Sequence, residues 1–217
     1  MTGWTVIVPV KGGARAKSRL PETVHGVPRA TLAAAFSADT LAAVSSAAGV
    51  DRVLVVTGVS DLEPCWLGAG APHLRVVRQA AGAGLNAAVR YAAGLATGPI
   101  AVVLGDLPAL RPQDLETVLD AAASRPLSMV GDVADSGTTM LMSRQERFPM
   151  SFGPQSVGRH GRAGYVELHA PIRARADVDL VEDLDRVMRL GVGEHTAAAL
   201  AGGEGDLAGR SLLSAAS

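Results

Sequence analysis

Apolar positions along the chain fall into two alternating patterns. Short unbroken runs rich in valine and isoleucine occur at Thr5 to Val10, Arg52 to Val56, Leu74 to Val77 and Ile100 to Leu104. Runs of this length, bounded by turn residues, predict strands buried on both faces. Longer stretches with helical apolar spacing lie among them. One runs from Pro28 to Ala48 and stops at Gly49. A second covers Leu85 to Leu95 and is closed by Thr97-Gly98-Pro99. A third opens near Pro112, runs to about Ala123 and ends at Arg125-Pro126. Strands alternating with helices predict an α/β fold with a mostly parallel central sheet and helices on both faces.

The pattern changes in the second half. Ser128 to Val130 and Thr138 to Met142 read as strands flanking the turn-rich "GDVADSG". The segment "RFPMSFGPQSVGRHGRAG" is too rich in Gly, Pro and Ser for a regular element at its start. Loops of that length in compact domains are functional or disordered. "ADVDLVEDLDRVMRLG" reads as a short strand or loop entering a helix that carries carboxylates in its first turn. No repeat or linker interrupts the pattern, so a single domain is expected over residues 1–201, followed by a disordered tail over 202–217.

Composition narrows the class. Of 217 residues, 48% are hydrophobic but only 3% aromatic, so the core must be aliphatic. A formal charge of −1 gives no global attraction for nucleic acid or for an anionic membrane, and a bound anion must be held by a local cluster. Cys65 is the single cysteine, which excludes an intrachain disulfide or a cysteine-rich metal site. No stretch approaches the eighteen apolar residues of a membrane span, and the first residues carry no basic leader, so a soluble cytoplasmic protein is expected.

The basic residues are unevenly chosen. Eighteen of twenty are arginine, and the two lysines, Lys11 and Lys17, both follow the first predicted strand. A position that stays lysine in so arginine-rich a chain points to a need for a compact ammonium. The loop Lys11-Gly12-Gly13-Ala14-Arg15-Ala16-Lys17-Ser18-Arg19 places four cations around two glycines that allow close backbone approach, which suits a polyphosphate. It is not a Walker loop, because Ala16 and Lys11 stand where that motif requires glycine. The plainer alternative is a solvated basic loop.

Asp106 ends the apolar run in "VVLGDLPAL", at a strand end where open α/β sheets bind ligands. A carboxylate there can hold a hard cation such as magnesium, with Asp177 or Asp179 as partner; a turn or helix-start acid is the alternative. Asp183 and Asp185 are assigned to the solvated face of the following helix. "GAGLNA", from Gly82 to Ala87, imitates a dinucleotide fingerprint, but four residues separate it from the preceding strand where the fingerprint has a tight turn. Gly84, Leu85 and Asn86 could instead wrap a base or ribose. The five histidines show no ligand spacing, and there is no nucleophile elbow. The candidates together describe magnesium-assisted transfer involving a nucleoside triphosphate.

"VPVKGGARAKSRL", "GLNAAVRYA", "VVLGDLPAL", "SGTTMLM", "FGPQSVGRHGRAG" and "DVDLVEDLDRVMRLGVG" occur in this order over nearly the whole chain. They resemble the 2-phospho-L-lactate/phosphoenolpyruvate guanylyltransferases of deazaflavin coenzyme F-420 biosynthesis, the FGP-x-S loop being the specific element. The resemblance implies a glycosyltransferase-A-like nucleotidyltransferase fold and transfer of GMP from GTP to phosphoenolpyruvate or 2-phospho-L-lactate. It implies magnesium on Asp106 and Asp177 with Asp179 nearby, and acceptor contacts from Thr138, Gly153 and Ser156. Lys11 and Lys17 would contact the triphosphate, with Asn86 near the nucleoside. Where the family has D-x-D-T-P, this chain has Asp177-Val178-Asp179-Leu180-Val181, so the turn after the acids is built differently. Other nucleotidyltransferases of the same fold (molybdopterin or sugar-phosphate type) and a nucleotide-binding regulator are the alternatives. The acceptor and the oligomeric state, a homodimer included, stay open at this level.

Overall fold

The computed structural model describes residues 3–10, 17–58, 73–78, 84–146 and 148–202. Lys11, Gly12, Gly13, Gly82, Cys65 and the tail beyond Gly202 lie outside them. The centre of the fold is β1 (Trp4–Val10), buried along its whole length. It pairs in parallel with β4 (Val50–Thr57) on one side and with β6 (Ile100–Val103) on the other. Beyond β4 lies β5 (Leu74–Arg78), also parallel. Beyond β6 the direction reverses: β8 (Thr138–Ser143) is antiparallel to both β6 and β7 (Leu127–Gly131), and β9 (Val166–Glu167) closes the edge parallel to β7. The resulting order is β5-β4-β1-β6-β8-β7-β9. One strand of seven runs against the rest, so the sheet is mostly parallel, as the alternation predicts.

Helices cover both faces because β1 alternates. Val6, Val8 and Val10 point into one layer with Leu41 and Val44 of α1 (Arg29–Ser46), Leu115 and Val118 of α3 (Pro112–Ala122) and Ala174 of α5 (Ile172–Arg175). Ile7 points the other way, with Leu54 and Val102, onto Val89 and Ala92 of α2 (Leu85–Ala93). Val157 of α4 (Ser156–Arg162) packs on that second layer. A third cluster joins Leu32 and Phe36 of α1 to Leu184 and Val187 of α6 (Val181–Leu190). Each fully buried Leu, Ile, Val or Phe contributes about 1.5–3 kcal/mol. No helix among the described residues is long and apolar enough to cross a membrane.

Several short elements escape the periodicity, β9 and α5 among them. A small hairpin, β2 (Thr23–Val24) with β3 (Val27–Pro28), turns on His25 and Gly26, both at positive φ (49° and 77°). That is the type I′ geometry favoured in two-residue hairpins, and two-residue strands are too short to show alternation. Another is α4, seven residues that include two glycines, inside the segment whose irregular start was expected.

Candidate active site

The strand order reverses around β1: the chain builds out through β4 on one side and through β6 on the other. The crevice between such strand ends is where open α/β sheets bind ligands. The backbone is drawn tight there. A Cβ on Gly105 would lie 2.9 Å from the Pro9 carbonyl oxygen, so only glycine lets the β6 exit pass the end of β1 this closely. Helix α1 anchors the same loop. Ser37 Oγ donates to the Gly105 carbonyl at 2.8 Å, and the Leu107 N–H donates to Thr40 Oγ1 at 3.1 Å. The Val178 N–H donates to the Asp106 carbonyl at 3.2 Å and brings in the second acidic segment.

One carboxylate oxygen each from Asp106, Asp177 and Asp179 then lie within 4.8 Å of one another. Asp183 holds the last of these in place by accepting the N–H groups of Asp179 and Leu180 at 3.1 and 2.9 Å. It therefore does more than solvate its helix. It stabilises the start of α6, where Leu180 provides no side-chain cap.

Lys17 reaches into this cluster. Its ammonium donates to Asp106 Oδ2 and, at 2.8 Å, to Asp179 Oδ1. Burial works against its charge, but the attraction of Asp106 and then Asp179, with the hydrogen bonds to both, prevails and holds its pKa above the ordinary lysine range. Asp177 moves up to about 8, chiefly because it is buried and then because Asp106 repels its negative charge, with Lys17 partly opposing. Arg19 touches Asp179 at 3.5 Å. Asp106 Oδ1 is buried and has no hydrogen-bond partner among the described residues. Three hard oxygen donors, one of them unsatisfied, beside a mutually repelling set suit a divalent cation of the magnesium type.

Asp106, Asp177, Asp179 and Lys17 line an open cleft of about 490 Å³. Thr138, Gly153 and Ser156 line the same cleft, as does Asp132. The two hydroxyls meet there, Ser156 Oγ donating to Thr138 Oγ1 at 2.9 Å. The loop that carries Gly153 is pinned from α2: the Phe152 N–H donates to Asn86 Oδ1 at 2.8 Å, and Asn86 Nδ2 donates to the Phe152 carbonyl at 3.0 Å. Asp132 closes the turn before Thr138 by accepting the N–H groups of Ser136 and Gly137 at 2.9 and 2.7 Å.

Seven of the residues expected from sequence thus share one cleft: Lys17, Asp106, Thr138, Gly153, Ser156, Asp177 and Asp179. Lys11, Gly12 and Gly13 lie outside the described residues. Gly84, at φ 74°, initiates α2, and Leu85 rather than Asn86 lines the cleft. The Asn86 amide is turned to the Phe152 backbone. Sequence reasoning passed over Asp132, the capping role of Asp183, and His160, which is hydrogen-bonded to Thr138 of the Thr138–Ser156 pair. Ser156 and His160 stand four apart, so a helix at this point would have put them on one face, but its two glycines hide the helix.

Residues 4–201 match the family described as "Guanylyl transferase CofC like". The chain is 44% identical to the phosphoenolpyruvate guanylyltransferase of Streptomyces scabiei over 212 residues, covering 91% of this chain and 96% of that protein. It is 43% identical to the phosphoenolpyruvate guanylyltransferase of Streptomyces avermitilis, covering 91% and 94%. Among solved structures, a nucleotidyl transferase from Methanothermobacter thermautotroptrophicus superposes with a TM-score of 0.58 at 21% identity, covering 87% of this chain and 99% of that one. At that identity the likeness speaks to the fold alone, which is that of the nucleotidyltransferases.

Proposed function

The chain belongs to the CofC-like guanylyl transferase family, and from that premise we propose that it transfers GMP from GTP to phosphoenolpyruvate, releasing pyrophosphate, as a step in making coenzyme F-420. The relatives named phosphoenolpyruvate guanylyltransferase support the acceptor. The observation that carries the reading is the composition of the cleft. Three clustered carboxylates and an ammonium share it with the Thr138–Ser156 hydroxyl pair and Gly153. The charged cluster suits a metal-bound triphosphate, and the hydroxyl pair suits a small phosphorylated acid.

In this reaction an acceptor phosphate oxygen bonds to the α-phosphorus of GTP as the bond to the leaving pyrophosphate breaks. The nucleophile is an anion at neutral pH, so no proton need be removed. That agrees with His160, the histidine bonded to Thr138, having both ring nitrogens engaged. Catalysis is then positioning and charge neutralisation. Lys17 supplies a point charge that fits among crowded oxygens where a planar guanidinium needs more room. Asp106, Asp177 and Asp179 would hold magnesium, which neutralises charge on the triphosphate.

The test is pyrophosphate release across a matrix of four nucleoside triphosphates against phosphoenolpyruvate, 2-phospholactate, a sugar phosphate and no acceptor. Turnover confined to GTP with phosphoenolpyruvate is expected. A sugar phosphate outperforming both three-carbon acids would overturn the reading, and a preference for 2-phospholactate would correct the acceptor.

A further inference from the structure

His160 is buried with 1% of its surface exposed, and no step of the reaction above uses it. Both ring nitrogens are committed. The Ser151 N–H points at Nε2 over 2.9 Å, and Nδ1 lies 3.0 Å from Thr138 Oγ1. A backbone N–H can only donate, so Nε2 must be the unprotonated nitrogen and Nδ1 must carry the hydrogen. Nδ1–H therefore donates to Thr138 Oγ1. Ser156 Oγ stands 2.9 Å from the same oxygen, also buried with 1% exposed.

The proton count leaves one hydroxyl hydrogen over, whichever hydroxyl donates to the other. The two hydroxyls carry two protons, and one lies between them. The other cannot point at His160, which is itself donating, and among the described residues neither hydroxyl has a further acceptor. It must face the cleft that Thr138 and Ser156 line. We propose that His160 is a positioning residue for the acceptor subsite: by donating to Thr138 it orients the Thr138–Ser156 pair to present a hydroxyl donor to an oxyanion of the substrate. This rests on the proposed function for the identity of that oxyanion, a carboxylate or phosphate of phosphoenolpyruvate.

The surroundings keep the ring from turning over. Phe152 and Tyr165 meet it edge to face, each with centroids 5.4 Å away, and Tyr165 is tied through its hydroxyl to the Pro149 carbonyl at 2.7 Å. A flipped ring would set Cε1–H against the Ser151 N–H and Cδ2–H against Thr138 Oγ1, and both hydrogen bonds would be lost. The same ring so reads the loop at Ser151 and passes a fixed donor direction to the cleft.

The test compares His160→Asn with His160→Gln. The Asn amide can place an N–H where Nδ1–H stood, whereas the Gln amide reaches the Nε2 position and leaves Thr138 without its donor. Asn is expected to keep the phosphoenolpyruvate KM within about threefold of the parent, and Gln to raise it roughly 10–100-fold, with the GTP KM little changed in both. Equal effects of Asn and Gln, or KM for both substrates rising together, would overturn the proposal and leave a packing role. Should either variant fail to fold, nitrogen NMR of histidine-labelled parent protein decides: a hydrogen on Nδ1 of His160 supports the proposal and one on Nε2 overturns it. If the parent does not use phosphoenolpyruvate, the proposed function falls separately, and inorganic phosphate titrated into parent, Asn and Gln proteins replaces the kinetic comparison. Weaker phosphate binding in Gln than in Asn then supports the orienting role, and equal binding overturns it.

Discussion

The side-chain amide of Asn86 and the backbone of Phe152 form a closed pair of hydrogen bonds, 2.8 Å into Asn86 Oδ1 and 3.0 Å out of Nδ2. The first residues of α2 thereby fix the loop that carries Gly153 across the cleft. Asn86→Ala should cost about 1–3 kcal/mol, since two part-buried backbone groups lose their partner. Urea melts check the stability. Kinetics should show the phosphoenolpyruvate KM rising more than that of GTP. The reverse order would return Asn86 to the nucleoside.

Asp106→Asn should abolish turnover while the fold survives, because Asp106 pairs with Lys17 and carries the unsatisfied oxygen of the three-carboxylate set. Residual activity above roughly a tenth of the parent in a folded variant would remove Asp106 from the metal set, given the several kcal/mol such stabilisation supplies. Magnesium titration by calorimetry offers an independent readout, and binding should weaken.

Lys17→Ala should lower turnover roughly 10²–10³-fold, the scale of one preorganised donor at developing charge. Lys17→Arg should recover part of that. Its ammonium sits between Asp106 and Asp179, at a backbone φ of 53°. Full activity in the Arg variant, measured by pyrophosphate release, would show that a compact charge is not needed.

Gly105→Ala tests the closeness of the two strand ends. The new methyl would meet backbone, the Pro9 carbonyl oxygen at 2.9 Å, which cannot move as a side-chain tip can. We expect a loss of about 1–3 kcal/mol in stability, as for overpacked cores, and a larger fall in activity as Asp106 shifts. Unchanged activity with lowered stability would mean that the loop absorbs the strain away from Asp106.

His160 also sets a pH dependence of stability. Burial, with Arg159 nearby, lowers its pKa from 6.5 to about 4. The folded protein therefore favours the neutral ring. Its stabilising contribution is complete above pH 6.5 and is lost as pH falls towards 4, worth roughly 3 kcal/mol over that window. Denaturant midpoints measured from pH 7 to pH 4 should fall, and less steeply in His160→Gln. Identical slopes in the two proteins would assign the acid sensitivity to other groups.

Periodicity and strand-end chemistry were legible in the chain. The alternation of Val6, Ile7 and Val8 already demanded two apolar layers, and Asp106 could be recognised because it ends an unbroken apolar run before a proline. Such signals are local: burial on a repeating backbone leaves its period in the residues themselves. Asp177 and Asp179 could be named the same way, as carboxylate partners for Asp106, and the resemblance then supplied Thr138, Gly153 and Ser156. What packing alone decided was the pairing of polar groups far apart in sequence. Lys17 meets Asp179 across 162 positions, Asn86 meets Phe152 across 66, and Thr138 meets His160 across 22. A hydrogen bond has no periodicity and needs its two atoms within about 3 Å. Only the sheet order, the close pass at Gly105 and the short helix holding Ser156 and His160 bring those atoms together.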